Sequence, residues 1–201
     1  APIRRINYSL DKNMISIFGV QHKDFFEDLK RIEESNSSLE AMKQKIIQGE
    51  IPPESKFVEY KETATWDVKN QMINKPLVER ILKTMVSFFN TNGGFLCIGI
   101  TDNLEVTGIE NELDKCFKNS LDEFQRFLAD KINTSIGEDI MDSFNIEDNL
   151  FIEGKQVFII ECLRSEKPIW FKEKEFIVRD IAKNRLLEGK KMYEYIRTHF
   201  I

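Results

Sequence analysis

Histidine is scarce in this chain, with only His22 and His199 among 201 residues. Both lie far in sequence from the acids of 54–62 and from Asp102, so neither a serine–histidine–aspartate arrangement nor a histidine-rich zinc site can be assembled from its motifs. Cysteine is scarce too. Cys97, Cys116 and Cys162 make an odd count without a CxxC pair, which reads as free thiols in a reducing, cytoplasmic setting. No GxxxxGK[ST] run is present and no GxGxxG opens a helix, so no phosphate-cradling or dinucleotide loop is encoded. No apolar run approaches the roughly 18 residues of a membrane-crossing helix. The opening stretch APIRRINYSLDKN is too polar for a secretory leader. Ala1 in first place raises the expectation of a trimmed terminus and of further domains beyond this sequence.

Charge is present in quantity. Lys and Arg total 29 against 34 Asp and Glu, a formal net charge of −5, which counts against a uniformly basic nucleic-acid binder. The distribution is uneven. Residues 102–153 hold 14 acids and 4 bases, and residues 164–197 hold 10 bases and 6 acids. Local sign decides where a phosphate backbone can lie.

Periodicity divides the chain near the prolines of EIPP at 50–53. The expected organisation is an appendage over 1–50, made of a weak β-element over 1–22 and helices over 24–34 and 39–49, followed by a main domain over 51–201. In that domain ESKFVEYKE (54–62) alternates as a strand, and a polar stretch follows at 63–75. Pro76 begins a helix whose stripe runs through Leu77, Ile81, Leu82, Met85, Val86 and Phe89. FLCIGI (95–100) reads as a buried strand and 113–135 as one long amphipathic helix. FNIEDNLFIEG and KQVFIIECL pair as strands, PIWFKEKEFIVRD forms a hairpin, and a helix closes the chain. The class is α+β, a mixed and mostly antiparallel sheet packed with helices and carrying a small N-terminal helical appendage.

Four stretches, ESKFVEYKE, VSFFNTNGGFLCIGITDN, VFIIECLRSEKPIWF and EFIVRDIAKNRLL, together resemble the Schlafen AlbA_2 domain over roughly 54–198. That resemblance implies a nucleic-acid-binding domain related to the Schlafen endoribonuclease core. In the nuclease branch three acids hold a divalent metal. Glu54 and Glu59 match the first two, Lys61 matches the motif lysine, and Tyr60 replaces a common phenylalanine. Asp102 matches the third acid, with Glu105 the fallback. The implied cofactor is Mg²⁺ or Mn²⁺, the implied substrate structured RNA such as tRNA, and the implied phosphate contact Arg179.

Residue chemistry supplies its own tests. Carboxylates suit hard divalent cations, and such a cation both neutralises a phosphoryl centre and orients a nucleophile. Glu54 and Glu59 are five apart, so on one regular strand they would face opposite sides. Convergence needs Glu54 to precede the strand, while Lys61 shares the facing of Glu59. The bland alternative is a solvated edge or a cross-strand ion pair for Glu59 and Lys61, and a simple turn for Asp102. Lys172, Lys174, Lys183 and Arg185 lie with Trp170 and Phe171 in an aromatic-interleaved basic stretch suited to phosphate contact and stacking, with Arg164 and Lys167 beside it. Trp170 packed in the core is the competing reading. Three functions stay open: a metal-dependent nuclease, a non-catalytic DNA- or RNA-binding module of a regulator or defence protein, and a protein-interaction or homodimerising domain favoured by the acidic segment.

Overall fold

The computed structural model describes Glu34 and residues 37–200. The chain divides into two compact units, Ala1–Glu40 and Ala41–Ile201, and the second carries every strand among the described residues. The β-element expected over 1–22 and almost all of the helix expected over 24–34 lie outside the described residues. The helix expected over 39–49 is helix α1, residues 37–47.

The central sheet has four strands in the order β1-β4-β6-β5. Strand β1 (Val58–Lys61) runs parallel to β4 (Gly94–Ile98), while β6 (Lys155–Cys162) is antiparallel to both β4 and β5 (Phe144–Ile152). Two antiparallel pairs stand apart: β2 (Trp66–Asp67) with β3 (Met72–Ile73), and β7 (Phe176–Asp180) with β8 (Lys183–Leu187). The class is therefore α+β, as expected.

Strand β4 is buried along its whole length, as its continuous apolar run requires. Leu96 and Ile98, with Phe158 and Ile160 of β6, face a core completed by helix α2 (Lys75–Phe89) and helix α4 (Leu121–Ser135). Helix α2 starts with Pro76 in its first turn, where a missing N–H costs nothing, and buries Ile81, Leu82, Met85, Val86 and Phe89. Across the sheet, Phe95 and Ile159 share a small cleft with Ile46 and Ile47 of α1, and Lys43 reaches Glu161 at 2.9 Å.

Two expected elements take a different form. The helix expected over 113–135 is broken into α3 (Glu110–Cys116) and α4. Lys118 and Asn119 take positive φ between them, and the Ser120 side chain accepts from the Glu123 amide as an N-cap. The hairpin expected over 168–180 is reduced to one bridge, Phe171 with Glu175. The extended partner of β7 is β8, downstream, with Phe176 opposite Leu187 and Asp180 opposite Lys183. Phe176, Val178 and Leu187 then pack with Trp170 and with Met192, Tyr195 and Ile196 of helix α5 (Gly189–His199) as a second apolar cluster.

The turn between α2 and β4 owes its glycines to close approach. A Cβ on Gly93, at φ +75°, would lie 2.6 Å from the Cys162 carbonyl oxygen, and one on Gly94 would lie 2.5 Å from the Phe88 ring. Asn90, 1% exposed, holds this corner. Its side-chain amide donates to the Ile169 and Ile177 carbonyls and accepts from the Ile169 amide, while its own carbonyl accepts from the Tyr195 hydroxyl.

Candidate functional site

Strand β1 is an edge strand, with β4 on one side only. The Phe57 and Lys61 carbonyls accept from Phe95 and Gly99. By alternation, the backbone groups of Val58 and Tyr60 point away from the sheet. Unpaired edge groups invite aggregation or must be covered, and here charged side chains cover them. The Glu54 carboxylate accepts from the Tyr60 amide at 3.0 Å. The Lys61 ammonium donates to the Tyr60 carbonyl at 2.6 Å. Arg179, from β7, donates to the Val58 carbonyl at 3.2 Å and to the Ser55 carbonyl at 3.0 Å. The Tyr60 hydroxyl donates to the Pro52 carbonyl, and burial pushes its pKa far above the ordinary range.

Glu59 faces two cations, one at each oxygen. Lys61 Nζ lies 2.6 Å from Oε1, and Arg179 Nη2 lies 2.6 Å from Oε2. The Arg179 side chain is 1% exposed. Its remaining donors go to Ser55 and to the Asn184 side chain of β8, and its plane lies over the Phe88 ring, 5.2 Å from the centroid. Asn184 continues the network through Ser87 and Thr84 of α2. A planar five-donor fork suits this position, and the compact ammonium of lysine does not.

The structure therefore joins Glu54, Glu59 and Lys61 at the start of the main domain and adds Arg179 to them. Glu54 does precede the strand, as its odd spacing from Glu59 demands. Arg179 is withdrawn from the exposed cations by its burial and acts inside the fold. Asp102 stands exposed in the turn 101–105, where the Thr101 amide donates to the Glu105 carbonyl, and Glu105 is exposed in the same turn. Among the described residues no three Asp, Glu, His or Cys side chains gather as a metal ligand set. The donor set drawn from Glu54, Glu59 and Asp102 does not fit a metal as the side chains stand, because Glu54 and Glu59 are already engaged within the fold and no third ligand joins them.

The other expected contacts remain outside. Lys172 pairs with Glu79, and Arg185 pairs with Asp180 at 3.1 Å, all at half-exposed positions. Lys167, Lys174 and Lys183 are exposed, and Arg164 donates to the His199 carbonyl. Trp170 packs on Phe176, with ring centroids 5.2 Å apart, so its face is spent in the second apolar cluster.

Residues not singled out in the sequence also matter. Tyr193 on α5 is 65% exposed, and its helix face carries Lys190 and Arg197 at spacings of three and four. Glu112, 1% exposed, accepts from the Ala64, Thr65 and Trp66 amides and from the Thr65 hydroxyl, fixing the approach to β2. Its signal was an acid in phase with Ile109, Leu113 and Cys116, the buried stripe of a helix.

A sequence profile of the family described as Schlafen, AlbA_2 matches residues 54–188, from the acid that caps Tyr60 to the residue after β8. This chain belongs to the Schlafen AlbA_2 family. The match begins at Glu54, and in this AlbA_2 domain Glu54 and Glu59 take part in the closure of the β1 edge. Among curated proteins none matches the chain. Among solved structures, the DIP2311 protein from Corynebacterium diphtheriae shares the fold. Its TM-score is 0.55 at 18% identity, over 83% of this chain and 33% of that one. The chain thus spans about a third of that protein's length.

Proposed function

We propose that this AlbA_2 domain binds nucleic acid through its C-terminal cations, with the charged closure on β1 serving as framework. The observation that carries this reading is the separation of roles among the basic residues. Arg179 is consumed inside, while Lys174, Lys183, Arg185, Lys190 and Arg197 stand exposed beside an exposed Tyr193. Their ion pairs are surface pairs, each worth about 0–1 kcal/mol, so a phosphate can replace the carboxylate at small cost. An exposed tyrosine flanked by cations supplies a stacking platform that does not depend on base identity. Membership of the AlbA_2 family, a nucleic-acid-related module, supports the same conclusion.

The finer reading is a Mg²⁺- or Mn²⁺-dependent endoribonuclease acting on structured RNA such as tRNA. One observation favours it: the Glu54 carboxylate accepts from the amide of Tyr60, the residue after Glu59, so the first two acids of the resemblance are both tied to strand β1. It requires Glu59 to give up Lys61 and Arg179 and requires the 101–105 turn to bring Asp102 across.

Both readings meet in one experiment. Fluorescence anisotropy with labelled tRNA and single-stranded DNA, run as a salt titration, is compared for the wild type, K183E/R185E and Y193A. Binding that falls with a log–log slope of about −0.7 to −0.9 per phosphate, and that weakens at least tenfold in both variants, supports the binding module. Binding unaffected by both variants overturns it. Cleavage of tRNA that needs Mn²⁺ or Mg²⁺, stops with EDTA and is lost in both E59Q and D102N establishes the nuclease.

A further inference from the structure

The acidic half of the domain has a surface of its own. Strand β5 is the other edge of the central sheet, nine residues long, and among the described residues no strand pairs with its outer side. Its sequence FNIEDNLFI holds no Lys, Arg or Pro, and although the register shifts between Glu147 and Leu150, the stretch Phe144–Glu147 pairs regularly with β6 and leaves a regular outer edge. Leu163 donates to the Ser143 carbonyl, and the register then continues with Phe144 opposite Cys162 and Ile146 opposite Ile160. In an antiparallel ladder hydrogen-bonded pairs alternate, so the amide of Ile146 points outward.

Beside this edge lies a cleft of about 390 Å³ between β5 and α4, with Ala129, Ile132, Met141, Phe144 and Ile146 along its apolar lining. Met141 and Ile146 are each 39% exposed there. The Gln125 amide bonds the Asp148 carboxylate across it and ties α4 to β5. Residues 138–153 contain six acids and no base.

We propose that this cleft takes an extended basic segment of a partner protein, added as a fifth strand on β5. Main-chain bonds to the open edge would hold it, and every second side chain, apolar, would enter the cleft. Its lysines or arginines would meet Asp142, Glu147 and their neighbours. Charge selects this occupant over the others. Phosphate is repelled by six acids, and a second copy pairing β5 with β5 would bring Glu147 and Asp148 against like charge.

The test uses labelled octapeptides of alternating Val and Lys, Val and Glu, and Pro and Lys, with anisotropy as the readout. The Val–Lys peptide should bind. The Val–Glu peptide should not, for its charge, and the Pro–Lys peptide should not, because it cannot form the ladder. Ile146→Pro removes the outward amide, and Asp142→Lys with Glu147→Lys reverses the charge at exposed positions. Each should weaken the Val–Lys peptide at least tenfold and leave tRNA binding unchanged. Should Ile146→Pro fail to fold, the charge reversal decides. Equal binding of both Lys peptides would reduce the effect to bulk charge and overturn the proposal. So would absence of binding, or unchanged binding in the variants. A dimer on size-exclusion chromatography that Ile146→Pro dissolves would give the edge to a second copy instead.

Discussion

Arg179 and Glu59 form a pair whose worth appears when one partner is removed. Both are buried, and a buried charge left alone costs about 3–5 kcal/mol, more than the intact pair contributes. Arg179→Met should therefore destabilise the domain by about 3–5 kcal/mol in urea unfolding, and Arg179→Lys should recover only part of that loss. Glu59→Gln combined with Arg179→Met should be less damaging than Arg179→Met alone, since the single variant leaves the buried Glu59 charge to Lys61 only and the double removes that charge. A double variant as unstable as the sum of the singles would show that the two residues are energetically separate. Half of this unit is legible in the sequence. The odd spacing of Glu54 and Glu59 requires the first to precede the strand, and it does. The other half is hidden because no periodicity links position 59 to position 179. The one local hint is an arginine ending the otherwise apolar run FIVR, which reads equally well as an exposed hairpin charge.

At the scale of elements, the sequence is clearest where one residue pattern has a single structural solution. FLCIGI could only be a buried strand, and Pro76 could only sit at a helix start. It is least clear where turns decide. The apolar stripe through Leu113, Phe117, Leu121 and Phe124 runs on as though unbroken, because Phe117 stays buried across the gap between α3 and α4. The break is nonetheless written in S-x-x-E at 120–123, a helix-start signature. Ser120→Ala should cost about 0.5–2 kcal/mol in thermal or urea unfolding, and Ser120→Asp should cost nearly nothing. Equal losses in both would mean that the cap contributes nothing. The β7–β8 turn carries no such signal. Ile181 takes φ +55°, a conformation that a β-branched residue adopts rarely, where a two-residue hairpin would ordinarily use Asn-Gly or Asp-Gly. With the turn unmarked, the residue pattern places the pairing one hairpin too early.

The whole molecule divides its chemistry. The acids of 102–153 gather along α3, α4 and β5, and the surplus bases of 164–197 lie on the second apolar cluster and its loops. The two proposed partners, a nucleic acid and a basic protein segment, would then each meet a field of the opposite sign. The family resemblance makes the fold and the general class of ligand legible. The basic and acidic surfaces are visible as sequence segments, but which cations reach solvent is a matter of packing, as the burial of Arg179 and the exposure of Tyr193 show.

The closure on β1 has a consequence for how the protein is made. The strand leaves the ribosome more than a hundred residues before the arginine that covers it. Until β7 arrives, the Ser55 carbonyl lacks its donor, the Val58 carbonyl keeps only the Ser55 amide, and Glu59 lacks its buried cation, so the nascent chain carries a half-sealed edge for most of its synthesis. A chain ending after Trp170 would be arrested in that condition. It should pellet on expression where the full chain stays in solution, and adding residues 171–200 as a separate peptide should return part of it to the supernatant. If the shortened chain were as well behaved as the whole, sealing of the edge would be incidental to biogenesis.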